Sequence, residues 1–147
     1  AFDFNTQEWS NVEPIKEDPT PTLDSHCATL WNKGDGKVSM VIVGGFMGGK
    51  TGGYSNAVYE YSFEDNQWRA LFKKQDVDNE GVEKPVIPQG RMGQGAAIKG
   101  DTLYMFGGNE GNSKMNDLWK FDLKEKKWTY IKPEGNTIPE VIYFIWD

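Results

Sequence analysis

The stretch that decides the fold begins Thr102-Leu103-Tyr104-Met105-Phe106-Gly107-Gly108 and crosses a polar interval, Asn109 to Asn116. It then enters Asp117-Leu118-Trp119-Lys120-Phe121 and, after a turn at Leu123 to Lys127, ends in Trp128-Thr129-Tyr130-Ile131. Strand-length apolar segments bounded by Gly, Asn and Asp read as short β-strands joined by turns. Upstream, Gly95 to Ile98 supplies another strand, joined through the tight turn Lys99-Gly100-Asp101. The unit is therefore four strands in succession.

The same unit occurs earlier. Trp9, Trp68 and Trp128 are 59 and 60 residues apart, and Gly44-Gly45 precedes Gly107-Gly108 by 63. Tyr59 aligns with Trp119 and Tyr61 with Phe121. Phe2-Asp3-Phe4 stands before Trp9 as Tyr61-Ser62-Phe63 stands before Trp68 and Phe121-Asp122-Leu123 before Trp128. The earlier unit gives strands at Ser25 to Leu30, Val38 to Val43, Ala57 to Phe63 and Gln67 to Phe72, with a longer first hairpin through Trp31 to Gly36. Agreement at several offsets marks a repeat architecture. No window shows helical spacing of apolar residues.

These features resemble the kelch repeat: a Gly-Gly pair after strand two, an aromatic in strand three and a Trp about nine residues later in strand four. The resemblance covers residues 1–132. Its Arg-x-Gly-His opening is divided between copies, with Arg91-Met92-Gly93-Gln94 in one and Leu23-Asp24-Ser25-His26 in the other. Kelch units are blades of a β-propeller, which has roughly 4–8 four-stranded blades around a channel. The resemblance thus implies an all-β, incomplete kelch-type propeller over residues 1–147. Residues 1–12 are read as the last strand of a preceding blade, 25–72 and 91–132 as whole blades, and 140–147 as an extra apolar strand. The N-terminal Ala1-Phe2-Asp3-Phe4 reads as a cut inside a longer protein. Two blades leave their outer faces open, so a longer propeller or self-association is expected.

Composition agrees. The chain has 147 residues, 14% of them aromatic, with 17 Gly and 7 Pro. That many aromatics argues against disorder, and no apolar run approaches the roughly 20 residues of a membrane-spanning helix. The net charge of -6 lacks the basic footprint of a nucleic-acid binder. Cys27 is the one cysteine, which favours an intracellular, cytoplasmic or nuclear, setting. No nucleic-acid or membrane partner is expected.

Motifs for chemistry are weak. Gly44 to Thr51 fits the P-loop pattern, but Thr51-Gly52-Gly53-Tyr54 cannot start the helix that the phosphate site requires. Asp76 to Gly81 resembles the start of an EF-hand loop, yet Ile87 stands where the bidentate Glu must be. His26-Cys27 lacks the further ligands of a zinc site. Adjacent strand residues also point to opposite faces, against a nucleophile pair. No catalytic residue, metal ligand or cofactor is therefore assigned.

The expected function is non-catalytic binding of a protein partner. Long polar loops at 10–24, 46–56, 73–90 and 109–116 share one rim of the propeller, and loops on a rigid scaffold are where binding resides. Arg91, Lys50, Tyr54, Asn109 and Asn112 are the candidate contacts; the resemblance implies a ligand-contacting arginine at Arg91, and the acidic loops nearby offer it internal pairing as the alternative. Gly44, Gly45, Gly107, Gly108, Tyr59, Trp119, Trp68 and Trp128 are read as scaffold. Alternatives are a regulatory kelch region of a multidomain enzyme, such as a Ser/Thr phosphatase, or a kelch-type enzyme in its own right.

Overall fold

The computed structural model describes residues 1–13, 22–48, 52–73 and 86–135. Two four-stranded antiparallel sheets dominate. The first comprises β3 (Cys27–Gly34), β4 (Lys37–Val43), β5 (Val58–Ser62) and β6 (Gln67–Phe72), in that spatial order. The second comprises β7 (Gly95–Lys99), β8 (Thr102–Phe106), β11 (Leu118–Asp122) and β12 (Lys127–Ile131), again up and down in sequence order. No helix occurs among the described residues. These are two consecutive blades of a partial propeller.

Three copies of one turn explain the tryptophan spacing. Phe2 pairs with Trp9, Tyr61 with Trp68 and Phe121 with Trp128 in register. Their ring centroids lie 5.1, 5.1 and 5.0 Å apart, tilted by 50°, 50° and 52°. Two residues before each Trp the backbone turns left-handed, at Gln7 (φ 59°), Asn66 (φ 55°) and Lys126 (φ 56°). In the outer copies the opening Asp caps the turn. Asp3 Oδ1 accepts from the Asn5 and Thr6 amides, and Asp122 Oδ1 from those of Lys124 and Glu125. Such local side-chain acceptors favour turns over continued strand. Residues 1–12 therefore hold two strands, β1 (Phe2–Asp3) and β2 (Glu8–Trp9), where a single strand was expected.

The core lies between the blades. Residues paired across a sheet share a face, so Val41, Val43, Val58 and Phe72 of the first blade point one way. Ala96, Leu103, Met105, Trp119, Phe121 and Trp128 of the second point back at them, and both sets belong to one buried cluster. Phe72 sets its ring edge against Phe121 and Trp128, at 6.1 and 6.4 Å. Trp31, expected in a hairpin loop, instead extends β3. It is buried and donates its indole N–H to Asp101 of the second blade (3.0 Å). The long first hairpin thus lengthens a strand and ties two blades together.

The outward-facing parts of the repeat are less covered. Trp9 is 81% and Phe4 86% exposed, while Trp128 is 4% exposed. The same aromatic pair is buried where a neighbouring blade covers it and bare where none of the described residues does. The apolar run Val141 to Trp146 lies outside the described residues.

Phe72→Ala removes the ring that joins the blades. It is expected to destabilise the chain by about 3–5 kcal/mol, the usual range for a buried Phe, in one transition of tryptophan fluorescence against urea. Two separate transitions would show that the blades unfold independently.

Candidate functional site

The paired glycines anchor the rim. Gly44 and Gly45 have φ 66° and 102°, and Gly107 and Gly108 have 66° and 91°, a conformation that L side chains adopt rarely. Space forbids side chains as well. A Cβ on Gly45 would lie 2.8 Å from the Asp24 carbonyl, and one on Gly108 2.8 Å from that of Met92. The glycines let the incoming chain pass close by. Asp24 and Phe46 exchange two backbone hydrogen bonds (3.0 and 2.9 Å), and Met92 and Asn109 exchange the equivalent two (2.9 Å each).

From this frame the candidate contacts separate. Phe46 and Tyr54 pair across the first-blade loop, with rings 5.3 Å apart, and Met47 beside them is 51% exposed. The second-blade loop, expected to be irregular from Asn109 to Asn116, contains a hairpin of β9 (Asn109–Glu110) and β10 (Ser113–Lys114). Asn109 is half-buried in it, while Asn112 is exposed at its tip. Gln89 donates from its side chain to Glu110, tying the blade-to-blade connection to this hairpin. Tyr54, Asn109 and Asn112 thus come to one rim. Lys50 lies outside the described residues, as do the EF-hand-like segment and the last part of the P-loop-like pattern.

Of the two readings of Arg91, the partner contact is corrected and the internal pairing stands, because the residue is fully buried. Its Nη1 and Nη2 donate to the two oxygens of Asp117 (2.5 and 2.9 Å), Nη1 also to the Gly107 carbonyl (2.9 Å) and Nε to the Gln89 carbonyl (3.0 Å). Trp119 Nε1 donates to the same carboxylate (2.6 Å). Burial alone would raise the Asp117 pKa. The hydrogen bonds from Arg91 and Trp119, with the Arg91 charge, outweigh it and hold the carboxyl below its ordinary value. A fork-shaped guanidinium with its donors occupied inside the protein has no role at the surface.

The repeat itself carries the signal for this. Leu23 and Ala57 stand in the first unit where Arg91 and Asp117 stand in the second. The correspondence is fixed by Gly44 N donating to Ala57 O and Gly107 N to Asp117 O. Both positions change together, from apolar to charged, as the partners of a buried ion pair must.

A second feature lies at the inner strands. A cavity of about 890 Å³ runs from Ser25–Ala28 of the first blade to Gly93–Ala97 of the second, and on to Tyr104, Phe106 and Leu118. Gln94 lines it and reaches into the first blade, where its Nε2 donates to the Val43 carbonyl (2.7 Å). A Cβ on Gly44 would collide with this carboxamide. His26 is exposed, with Nδ1 3.2 Å from the Leu23 carbonyl. Cys27 is half-buried, its thiol directed at the Ala96 carbonyl (3.8 Å) and its pKa raised chiefly by burial. No group of three or more potential metal ligands occurs among the described residues.

The family model for the KLHDC2/KLHL20/DRC7 Kelch-repeats domain matches residues 1–143. The chain belongs to the kelch-repeat family. This kelch chain is 25% identical over 144 residues to human (Homo sapiens) Kelch domain-containing protein 10, covering 97% of this chain and 29% of that protein. It is 28% identical over 146 residues to the serine/threonine-protein phosphatase BSL2 of Arabidopsis thaliana, covering 97% of this chain and 13% of that protein. The leucine-zipper-like transcriptional regulator 1 of Mus musculus is 27% identical over 92 residues, which are 60% of this chain and 10% of that protein. The kelch chain spans less than a third of each of these relatives.

Arg91→Ala takes the guanidinium from the half-buried Asp117 carboxylate and its donors from the Gly107 and Gln89 carbonyls, and is expected to cost about 2–4 kcal/mol. Because the folded Asp117 pKa is depressed, its contribution is complete above the unfolded carboxylate value of about 4. It is lost as the pH falls through the lower folded value. Urea midpoints measured from neutral pH downwards should therefore fall more steeply through the acid range for the wild type than for Asp117→Asn. Equal slopes would remove the ion pair from the account.

Proposed function

We propose that this kelch chain is a non-catalytic protein-interaction module that holds its partner on the loop rim. Kelch repeats are in general protein-binding and non-catalytic. The observation that carries the reading is the rim's construction. Phe46, Met47, Tyr54, Asn109 and Asn112 sit on loops whose bases are pinned by the two paired backbone bridges. The Gly93 amide donating to Ser25 O (3.0 Å) fixes the second of these loops to the first blade. A surface held in place this way loses little conformational freedom on binding, which favours affinity. Its aromatic and amide side chains suit a polypeptide partner. An intracellular setting, which the lone Cys27 suggests, is part of the proposal.

A second reading, a regulatory region attached to an enzyme, is favoured by the match of nearly the whole chain to part of a serine/threonine-protein phosphatase. In that reading the rim would still select the protein on which the enzyme acts.

The test compares affinity capture by the full chain with capture by Met47→Arg and by Asn112→Arg. Thr129→Arg, on exposed β12 away from the rim, is the control. Proteins retained by the wild type and by the β12 variant should be lost from both rim variants. Undiminished recovery by the rim variants would place binding elsewhere.

A further inference from the structure

The first-blade part of the rim carries a row of three side chains. Antiparallel bridges pair Asp24 with Phe46 and Phe46 with Tyr54, so the three stand directly opposite one another. Residues opposed across a ladder share a face. The row is therefore a carboxylate followed by two rings, whose centroids lie 5.3 Å apart. Asp24 is exposed, and Phe46 and Tyr54 are each half-buried, so part of both rings meets solvent. Among the described residues Asp24 forms an ion pair with no cation. The row ends against the second blade, where a Cβ on Gly111 would lie 3.5 Å from the Tyr54 hydroxyl. Beside Gly111, the Glu110 carboxylate accepts from the neutral Gln89 side chain and has no cationic partner among the described residues either.

The sister blade shows that the ladder does not demand these residues. Its equivalent bridges pair Met92 with Asn109 and Asn109 with Lys114, so the same row reads Met, Asn, Lys. The acid and the two rings are thus particular to the first blade rather than a condition of its fold. A negative charge in line with two π faces is what a cation complements. Ring faces attract positive charge. A planar guanidinium stacks on a ring while its N–H groups reach a carboxylate, a geometry that a compact ammonium does not offer. We infer that this row receives an arginine side chain of the protein partner, laid over Phe46 and Tyr54 with its guanidinium toward Asp24. The inference rests on the reading of the rim as the partner-binding surface and names what that surface recognises. The net charge of -6 favours the approach of a basic segment.

The experiment titrates the isotope-labelled full chain with the peptide acetyl-Gly-Ser-Arg-Ser-Gly-amide and reads the NMR shifts of Asp24, Phe46 and Tyr54. A twin peptide with citrulline in place of arginine keeps the shape and removes the charge. Saturable shifts with a dissociation constant on the order of millimolar are expected for the arginine peptide, and binding about tenfold weaker for its twin. Asp24→Asn removes the charge at an exposed position and should weaken binding by about threefold or more. Tyr54→Lys, which installs the residue that the sister blade carries there, should abolish it. Phe46→Asn, borrowed in the same way, keeps the test decisive should Tyr54→Lys fail to fold, and tryptophan fluorescence reports folding for each. Absence of saturable shifts at the row, equal binding of the citrulline twin, or undiminished binding by the folded variants would overturn the inference. Loss of captured proteins from Met47→Arg and Asn112→Arg, with the row unmoved by the arginine peptide, would keep the rim as the binding surface and overturn the arginine. Capture undiminished in those two variants, with the row still saturating, would overturn the rim reading and uphold the arginine contact.

Discussion

Arg91 is the joint on which both blades hang. Its backbone amide donates to the Ser55 carbonyl (2.9 Å) and its carbonyl accepts from Gly45 (2.8 Å), both in the first blade. Its side chain is spent on Gly107 and Asp117 in the second. One residue thus satisfies buried polar groups of two sheets that share no strand. A buried guanidinium is costly unless its donors are matched and its charge is balanced. Here the guanidinium is matched within the second blade and the connection before it, and the Arg91 backbone pairs with the first blade, so the residue is fully satisfied only when the two are docked. The polar joint near the rim and the aromatic contacts of Phe72 act at different places on the same interface, and together they fix how one sheet meets the next.

That constraint explains which parts of the fold were legible in the sequence. Strand positions depend on local alternation and turn residues, and these appear in one stretch of chain. The spacing from Phe121 to Trp128, or from Tyr61 to Trp68, is set by a short turn with one left-handed residue, so it survives in all three copies. The residue at that bend is Gln, Asn or Lys rather than Gly. The left-handed step was therefore invisible from composition, although its consequence, the constant spacing, was plain. Trp31 was misplaced for the opposite reason. Its neighbours Asn32, Lys33 and Gly34 look like a loop, but an indole that can reach Asp101 across the interface continues the strand. Tertiary burial there overrides a local turn signal.

The site was less legible because exposure is a property of the assembled sheets. Arg91 beside a glycine-rich loop has the composition of a surface contact. What distinguishes it is a carboxylate 26 positions later, brought near only by two crossings of the blade. The internal repeat held the missing information, since Leu23 and Ala57 replace both partners at once in the sister blade. Likewise the cavity is formed by Ser25–Ala28 and Gly93–Ala97, which no contiguous motif unites. Tyr54, Asn109 and Asn112 were easier to find, since polar residues in loops between strands two and three reach the rim by topology alone.

The rim and the inner strands have different physical requirements, and the clasp at Gln94 stands between them. On the rim, a loop can change its exposed side chains freely as long as the glycines below it admit the neighbouring chain, for the anchoring bonds there are main-chain bonds. At the inner strands the floor is backbone, and side chains can do little except stay small. Gln94 stands between these regimes. Its carboxamide occupies the room left by Gly44, donates to the strand-two carbonyl of the preceding blade and leaves one acceptor unused. Replacing that group with a well-packed apolar side chain would remove the unmatched oxygen, yet would also orphan the Val43 carbonyl. Holding the blades together at this point therefore requires an amide, and the amide brings a second polar atom that the fold does not itself satisfy. A scaffold joined in this way keeps one unmatched acceptor in its interior as a direct consequence of how its blades are fastened.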